Sequence, residues 1–277
     1  MKTRIISGVV GAVGVIIITC AGAIPLGILC MIISVLAIYE AYKATGLLRE
    51  HKILSVLGAL VYPVAFYIDA MVGRGHPVFL STLLAGMVFA SMAIAFPKVK
   101  FADVAEILTF AVTFTVCLSK AYALRALPCG GYLIWLIYFG AWITDTGAYF
   151  GGTYFGKHKL VPHLSPKKTV EGAVSGVLAT VLVFLIYGLI MMKAGVFQTL
   201  TEFGMHLNIG FMLLLAVLCA LLSQVCDLMM SAIKREMGIK DFGHIMPGHG
   251  GILDRVDSLI FVTPLVYYFF CILANAI

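Results

Sequence analysis

Along most of the chain, apolar positions follow one another in runs of about 20 residues, separated by short polar stretches. As a helix rising about 1.5 Å per residue, a run of that length crosses the hydrocarbon core of a bilayer. Strands of a membrane barrel would alternate polar and apolar side chains, and these runs do not. The pattern predicts an all-α, polytopic integral membrane helical bundle of nine spans, near residues 5–22, 25–43, 53–72, 77–96, 104–124, 132–151, 171–192, 208–233 and 256–275. Between the first two spans, Thr19 to Pro25 must serve as a very tight turn. The first run follows Met-Lys-Thr-Arg and ends near Ala21-Gly22-Ala23, yet further apolar runs come directly after it, which favours an uncleaved first helix over a signal peptide. No long linker, low-complexity tract or soluble insertion interrupts the series, so a single membrane-embedded domain over 1–277 is expected.

Charge supplies orientation. With the N-terminus inside, the cytoplasmic segments carry Lys2, Arg4, Lys43, Arg49, Lys52, Lys98, Lys100, Lys157, Lys159, Lys167, Lys168, Lys234, Arg235, Lys240 and Arg255. The opposite loops carry only Arg74, Arg125 and Lys193, with Lys120 inside the fifth span. That asymmetry satisfies the positive-inside rule and puts the two richest polar loops, 152–170 and 234–255, on one cytoplasmic side. Composition agrees: 62% of residues are hydrophobic and 12% charged, against about 25% charged in soluble domains. The cysteines at 20, 30, 117, 129, 219, 226 and 271 form no CxxC pair and read as small apolar filler.

Polar residues inside such a chain stand out. Asp227, Ser231, Lys234 and Arg235 recur at i, i+4, i+7 and i+8, one face of the eighth span. Asp227 falls about two turns inside the membrane from the basic pair, a costly place unless it is paired, hydrated or bound to metal. A structural salt bridge is one reading and metal binding the other. Asp254 and Asp257 share a face if the ninth helix has begun there. Hard oxygen ligands at that spacing suit magnesium, while helix capping by Asp254 is the alternative and compatible role. Gly250-Gly251 permits close backbone approach beside a helix start that favours phosphate. His249 is a general base, a phosphate donor or a loop histidine.

On the other loop, Ser165-Pro-Lys167-Lys168-Thr169 places adjacent lysines beside hydroxyls, either a polyphosphate-binding patch or an ordinary positive-inside loop. Glu171 can pair with a lysine or support a metal, and Asp145 adds a third acid toward the cytoplasmic end of the sixth span. Gly151-Gly-Thr-Tyr-Phe-Gly-Lys-His158 nearly spells a P-loop, but it follows a membrane span instead of a strand. Gly172-x-x-x-Gly176 reads as helix packing. Glu40, Asp69 and Glu106 fall near span ends, where interfacial solvation accounts for them. Taken together, the residues point to metal-dependent chemistry on a phosphorylated substrate whose apolar part stays in the bilayer.

The stretch from Ser231-Ala-Ile-Lys234-Arg235 through Lys240-Asp241-Phe-Gly-His-Ile-Met-Pro-Gly-His249-Gly250-Gly251-Ile-Leu-Asp254-Arg255-Val-Asp257 resembles the signature of the phosphatidate cytidylyltransferase (CDP-diacylglycerol synthase) family. Ser165-Pro-Lys-Lys-Thr-x-Glu-Gly172 matches a second element, and the multi-span architecture extends the likeness over the whole chain. Met246 stands where Ile, Leu or Phe is usual, and Cys226 where glycine is common. The resemblance implies transfer of the cytidylyl group of CTP to phosphatidate, with one or two Mg²⁺ and a second, monovalent cation left open. It implies Asp145, Asp227, Asp254 and Asp257 as the metal group and Ser231, Lys234, Arg235, His249 and Arg255 as catalytic. Ser165, Lys167, Lys168, Thr169, Lys240, Gly250 and Gly251 fall to substrate binding. The expected setting is the bacterial inner membrane with the site facing the cytoplasm. A homodimer is left open, and no nucleic-acid partner is expected.

Two rivals come from other classes. A transporter would show a polar path through both leaflets, whereas the polar residues here gather on one side. A CDP-alcohol phosphotransferase would carry Asp-x2-Asp-Gly-x2-Ala-Arg, which is missing.

Overall fold

The computed structural model describes residues 2–73, 76–246 and 250–273, with side chains from Gly8 onward. Two compact units emerge, the first comprising Met1–Tyr122 with Met237–Val256 and the second Ala123–Glu236 with Asp257–Ile277.

In the first unit the opening apolar runs fold as α1 (Lys2–Ala21) and α2 (Ala23–Thr45). The tight turn between them is Gly22 alone, at φ 128° and ψ −176°, a region essentially closed to residues with a Cβ. The short α3 (Leu47–Glu50) leads to α4 (Lys52–Val56) and α5 (Tyr62–Val72), joined by a wide π turn at Leu57–Val61 so that Lys52–Val72 runs as one span. Pro63, just beyond that turn, has no N–H for the helical ladder, and the ladder widens ahead of it. Next come α6 (Pro77–Ile94) and α7 (Phe101–Ala126). Fully buried Tyr42 of α2 donates its hydroxyl to the Ile107 carbonyl of α7 at 2.7 Å.

The second unit continues through α8 (Gly130–Leu133) and α9 (Trp135–Tyr138), then a second π turn at Phe139–Ile143 leads into α10 (Thr144–Phe155). A hairpin comes next, β1 (Lys159–Val161) antiparallel to β2 (Ser165–Thr169), with Lys159 opposite Thr169. This corrects the expectation of a plain loop over 152–170. The Leu164 N–H donates to the Val161 carbonyl at 3.2 Å across a turn with Pro162 at its second position, where a fixed φ is favoured. Then come α11 (Val170–Lys193), α12 (Val196–Glu202) and α13 (Ile209–Glu236), and α14 (Leu253–Leu273) enters the unit at Asp257.

What brings α10 and α11 together is the absence of side chains. A Cβ on Gly147 would meet the Ala179 Cβ at 2.7 Å, one on Gly172 the Ala148 carbonyl oxygen at 2.7 Å, and one on Gly176 the Thr144 carbonyl oxygen at 2.8 Å. Such close backbone approach is how helices associate where lipid removes the hydrophobic drive. Within the crossing, buried Thr144 and Thr180 share a hydroxyl hydrogen bond at 2.7 Å.

Among the described residues, seven helices are long and apolar enough to cross a membrane: Ala23–Thr45, Lys52–Val72, Pro77–Ile94, Phe101–Ala126, Val170–Lys193, Ile209–Glu236 and Leu253–Leu273. These are seven of the nine expected spans. The other two, 5–22 and 132–151, fall on α1, whose described apolar part is Gly8–Ala21, and on the interrupted α8–α10 series. The protein is an all-α, polytopic membrane protein, and large apolar side chains, Val78, Leu182 and Ile186 among them, are exposed along its spans, as contact with acyl chains requires.

Candidate active site

Three helices of the second unit deliver carboxylates to one place. The wide turn at Phe139–Ile143 ends directly before Thr144 and Asp145. One extra residue in a helical turn rotates the rest of the helix by about 100°, so Asp145 leaves α10 in a direction an uninterrupted helix would not give it. Its carboxylate feels the charges of Asp227 on α13, Asp257 on α14 and Lys168 on β2. The Lys168 Nζ lies 2.5 Å from Asp227 Oδ2, with the two side chains 26% and 31% exposed. Asp257 Oδ1 accepts the Ser258 N–H at 2.8 Å, and the Ser258 hydroxyl, within 3.4 Å of that oxygen, donates to Asp145 Oδ2 at 3.3 Å. Asp145 thus has two further acids and one ammonium group within electrostatic reach, and it is accessible from outside the protein.

The neighbouring residues sort by what they touch. Ser231, Lys234 and Arg235 continue α13 one and two turns beyond Asp227, with Arg235 exposed. Lys167 is exposed on β2 and Ser165 begins that strand. Thr169 is buried, and its hydroxyl accepts the Gly172 N–H at 3.1 Å, so it caps α11. Among the described residues, the ion-pair partner of Glu171 is His158. Glu171 Oε2 accepts the Lys157 N–H at 3.0 Å and the His158 N–H at 3.1 Å, and its Oε1 lies 2.5 Å from His158 Nδ1. An acid in the first turn of α11 suits the helix dipole, and here it also ties down the loop ahead of the hairpin.

The remaining signature residues belong to the first unit. Lys240 and Arg255 are exposed. Gly250 has φ 84°, the left-handed region, and its carbonyl accepts the Met246 N–H at 3.0 Å. Asp254 Oδ2 accepts the Phe242 N–H at 2.9 Å and the Gly251 N–H at 3.0 Å, closing the turn that leads into α14. Asp254 thus lies in the first turn of α14 and binds N–H groups of the preceding loop, outside the helix, and the Leu253 N–H at the helix start goes to Glu40 instead. His249 lies outside the described residues.

Sequence reasoning missed two residues. Ser258, buried next to Asp257, bridges two of the acids, and its only sequence signal is adjacency to an aspartate in an apolar run. Glu40 is the larger correction: instead of lying in interfacial water it is 1% exposed, with Oε2 accepting the Leu253 N–H at 2.9 Å. Among the described residues, the acids and histidines whose ligand atoms all lie within 4.8 Å of one another are Glu50, His51 and Asp103 of the first unit. Two of these are already committed, since His51 Nε2 meets Asp103 Oδ2 at 2.9 Å and that oxygen also accepts the Lys100 N–H at 2.8 Å.

The cytidylyltransferase family model matches residues 2–273 of this chain. A phosphatidate cytidylyltransferase of Bacillus subtilis (strain 168) is 30% identical over 282 residues, covering 97% of this chain and 97% of the relative. One from Staphylococcus aureus (strain COL) is 31% identical over 272 residues, covering 96% and 97%. Another, from Staphylococcus epidermidis, reaches 45% identity over a shorter stretch of 125 residues, which is 45% of this chain and 44% of that relative.

Proposed function

The chain belongs to the cytidylyltransferase family, and on that premise we propose that it transfers the cytidylyl group of CTP to phosphatidate, giving CDP-diacylglycerol and pyrophosphate. The observation that carries the proposal is Asp145 of α10 with the charges of Asp227 of α13, Asp257 of α14 and Lys168 of β2 all acting on it, Lys168 being paired with Asp227. Carboxylate oxygens fit Mg²⁺, which takes one or two of them and completes its octahedron with water and substrate phosphates. Asp145, Asp227 and Asp257 would hold one or two such ions, which when bound offset the charge on the phosphates.

The chain's own residues account for positioning. The phosphatidate phosphate is anionic near neutral pH and needs no strong base to become a nucleophile. It attacks the α-phosphorus of CTP in line, forming the new P–O bond as the bond to the β-phosphate oxygen breaks, and pyrophosphate departs. Lys167 and Lys168 from β2, with Lys234 and Arg235 from α13, supply cations for the phosphates. Asp227 orients the Lys168 ammonium directly, and Ser231, one turn along α13 from Asp227, would hold a phosphate oxygen. Exposed Tyr149, Phe150 and Tyr154 follow Asp145 on α10. Such aromatic side chains suit the boundary between acyl chains and headgroups, which favours a lipid acceptor. The distribution of Lys and Arg supports a cytoplasmic-facing site, and the bacterial relatives support the inner membrane. Lys240, Gly250, Gly251, Asp254 and Arg255 are assigned to the reaction by the family resemblance.

Purified protein in mixed micelles with phosphatidate, CTP and Mg²⁺ tests the reading. We expect CDP-diacylglycerol and pyrophosphate in equal amounts, loss of both when Mg²⁺ is chelated, and a fall of about 100-fold in Asp227→Asn or Asp145→Asn. Near-normal turnover in both variants, or full activity in chelator, overturns the metal assignment. Product with another lipid phosphate but none with phosphatidate overturns the acceptor.

A further inference from the structure

Glu40 sits on an apolar helix, α2, with a carboxylate almost entirely enclosed. Its Oε2 accepts the Leu253 N–H at 2.9 Å. Two further glycines of the loop face it. A Cβ built on Gly243 would fall on Glu40 Oε1, with Cδ at 2.5 Å, and one built on Gly251 would fall on Oε2, with Cδ at 2.7 Å. Unlike Gly250, neither of these glycines has a positive φ, so backbone conformation does not call for glycine at 243 or 251. Room for Glu40 does.

We infer that Glu40 is a positioning residue for the loop segments 242–246 and 250–254, filling the space of the side chains that Gly243 and Gly251 lack and fixing where α14 starts. The first N–H groups of a helix have no partner within it, and a carboxylate is the strongest acceptor available to them. Asp254 grips the loop from within, through the Phe242 and Gly251 N–H groups, and Glu40 grips it from α2, through the Leu253 N–H. An apolar residue of the same size would fill the space at less cost in a membrane bundle but would leave the Leu253 N–H unbound. The catalytic consequence rests on the function proposed above, because this loop carries Gly250, Gly251, Asp254 and Arg255.

The test uses full-length Glu40→Ala, Glu40→Gln, Gly251→Ala and the double variant Glu40→Ala/Gly251→Ala. Amide hydrogen exchange over 241–255 reads the loop, and kcat and KM read the reaction. In Glu40→Ala, exchange at 250–254 is expected to quicken about tenfold, with other segments unchanged. Turnover should fall on the order of 10- to 100-fold while the KM for phosphatidate stays within about threefold. Glu40→Gln keeps an oxygen for the Leu253 N–H and should recover most of the loss. Gly251→Ala should be as damaging as Glu40→Ala, and less damaging once Glu40 is already Ala. Unchanged exchange in Glu40→Ala, no rescue by Gln, or strictly additive effects in the double variant overturn the inference. Should Glu40→Ala fail to fold, Glu40→Gln and Gly251→Ala still decide it. If the wild-type protein makes no CDP-diacylglycerol, the functional proposal falls, while the exchange data and the melting temperatures of the double-variant cycle still judge Glu40.

Discussion

Gly176→Ala adds one methyl group where α10 and α11 cross. The new Cβ would lie 2.8 Å from the Thr144 carbonyl oxygen, 3.2 Å from the Ala148 Cβ and 3.4 Å from the Ala148 N. The nearest of these is backbone and cannot rotate away. Ordinary contact begins near 3.5 Å, so the helices must separate locally by roughly half an ångström or more. Overpacking of this kind costs about 1–3 kcal/mol, while replacing a mid-helix glycine by alanine returns about 1 kcal/mol. The net loss of stability is therefore about 0–2 kcal/mol, and the protein should still fold. Activity should suffer more. Thr144 immediately precedes Asp145, and a displacement near 1 Å in a catalytic group costs on the order of 100-fold, or about 2.7 kcal/mol of barrier. The assay is turnover with CTP and phosphatidate at saturation, beside a melting temperature in the same detergent. Gly86→Ala is the control, because a Cβ on Gly86 of α6 meets nothing within 4 Å. Its turnover should be unchanged and its stability equal or slightly raised. Gly176→Ala turning over within twofold of wild type would refute the claim that this crossing sets the position of Asp145.

Two further substitutions probe the hairpin. The Lys168–Asp227 pair is partly exposed, so as a structural bridge it contributes about 1 kcal/mol at most. Lys168→Met should leave the melting temperature within a few degrees yet raise the KM for CTP about tenfold, with partial recovery in Lys168→Arg. An unchanged KM would remove Lys168 from the phosphate-binding group. Glu171→Gln weakens the acceptor of the Lys157 and His158 N–H groups. Exchange over 156–169 should rise and turnover should fall at an unchanged melting temperature, and identical exchange would show that the hairpin needs no anchor at Glu171.

The membrane-spanning helices were legible in the chain because a bilayer leaves few options. A segment there must satisfy its own backbone, and the apolar runs declare which segments do so. Asp145 and Asp227 were legible for the converse reason, since a charge inside such a run is expensive and stands out. Spacing was a poorer guide to partners. Asp254 and Asp257, three residues apart, look like a ligand pair. In the structure Asp254 bonds the backbone of its own loop, while Asp257 joins Ser258 and Asp145. Periodicity assigns a residue to a face of its helix and says nothing about what that face meets.

Only the tertiary structure decided the rest. The π turns ahead of Tyr62 and Thr144 arise where helical hydrogen bonding gives way to packing, and no apolar pattern records them. The hairpin over 159–169 is closed by a turn at Pro162, and Glu171 bonds the loop ahead of it. Glu40 reaches Leu253 across 213 residues of chain. By position alone it is an acid near a span end, solvated like any other. By itself the sequence determined which segments enter the membrane and which charges are anomalous there, because the energies of burying apolar runs and isolated charges are set locally. Which acid meets which backbone N–H, and which glycines make room for it, depends on contacts between distant segments, and only the folded chain supplies those.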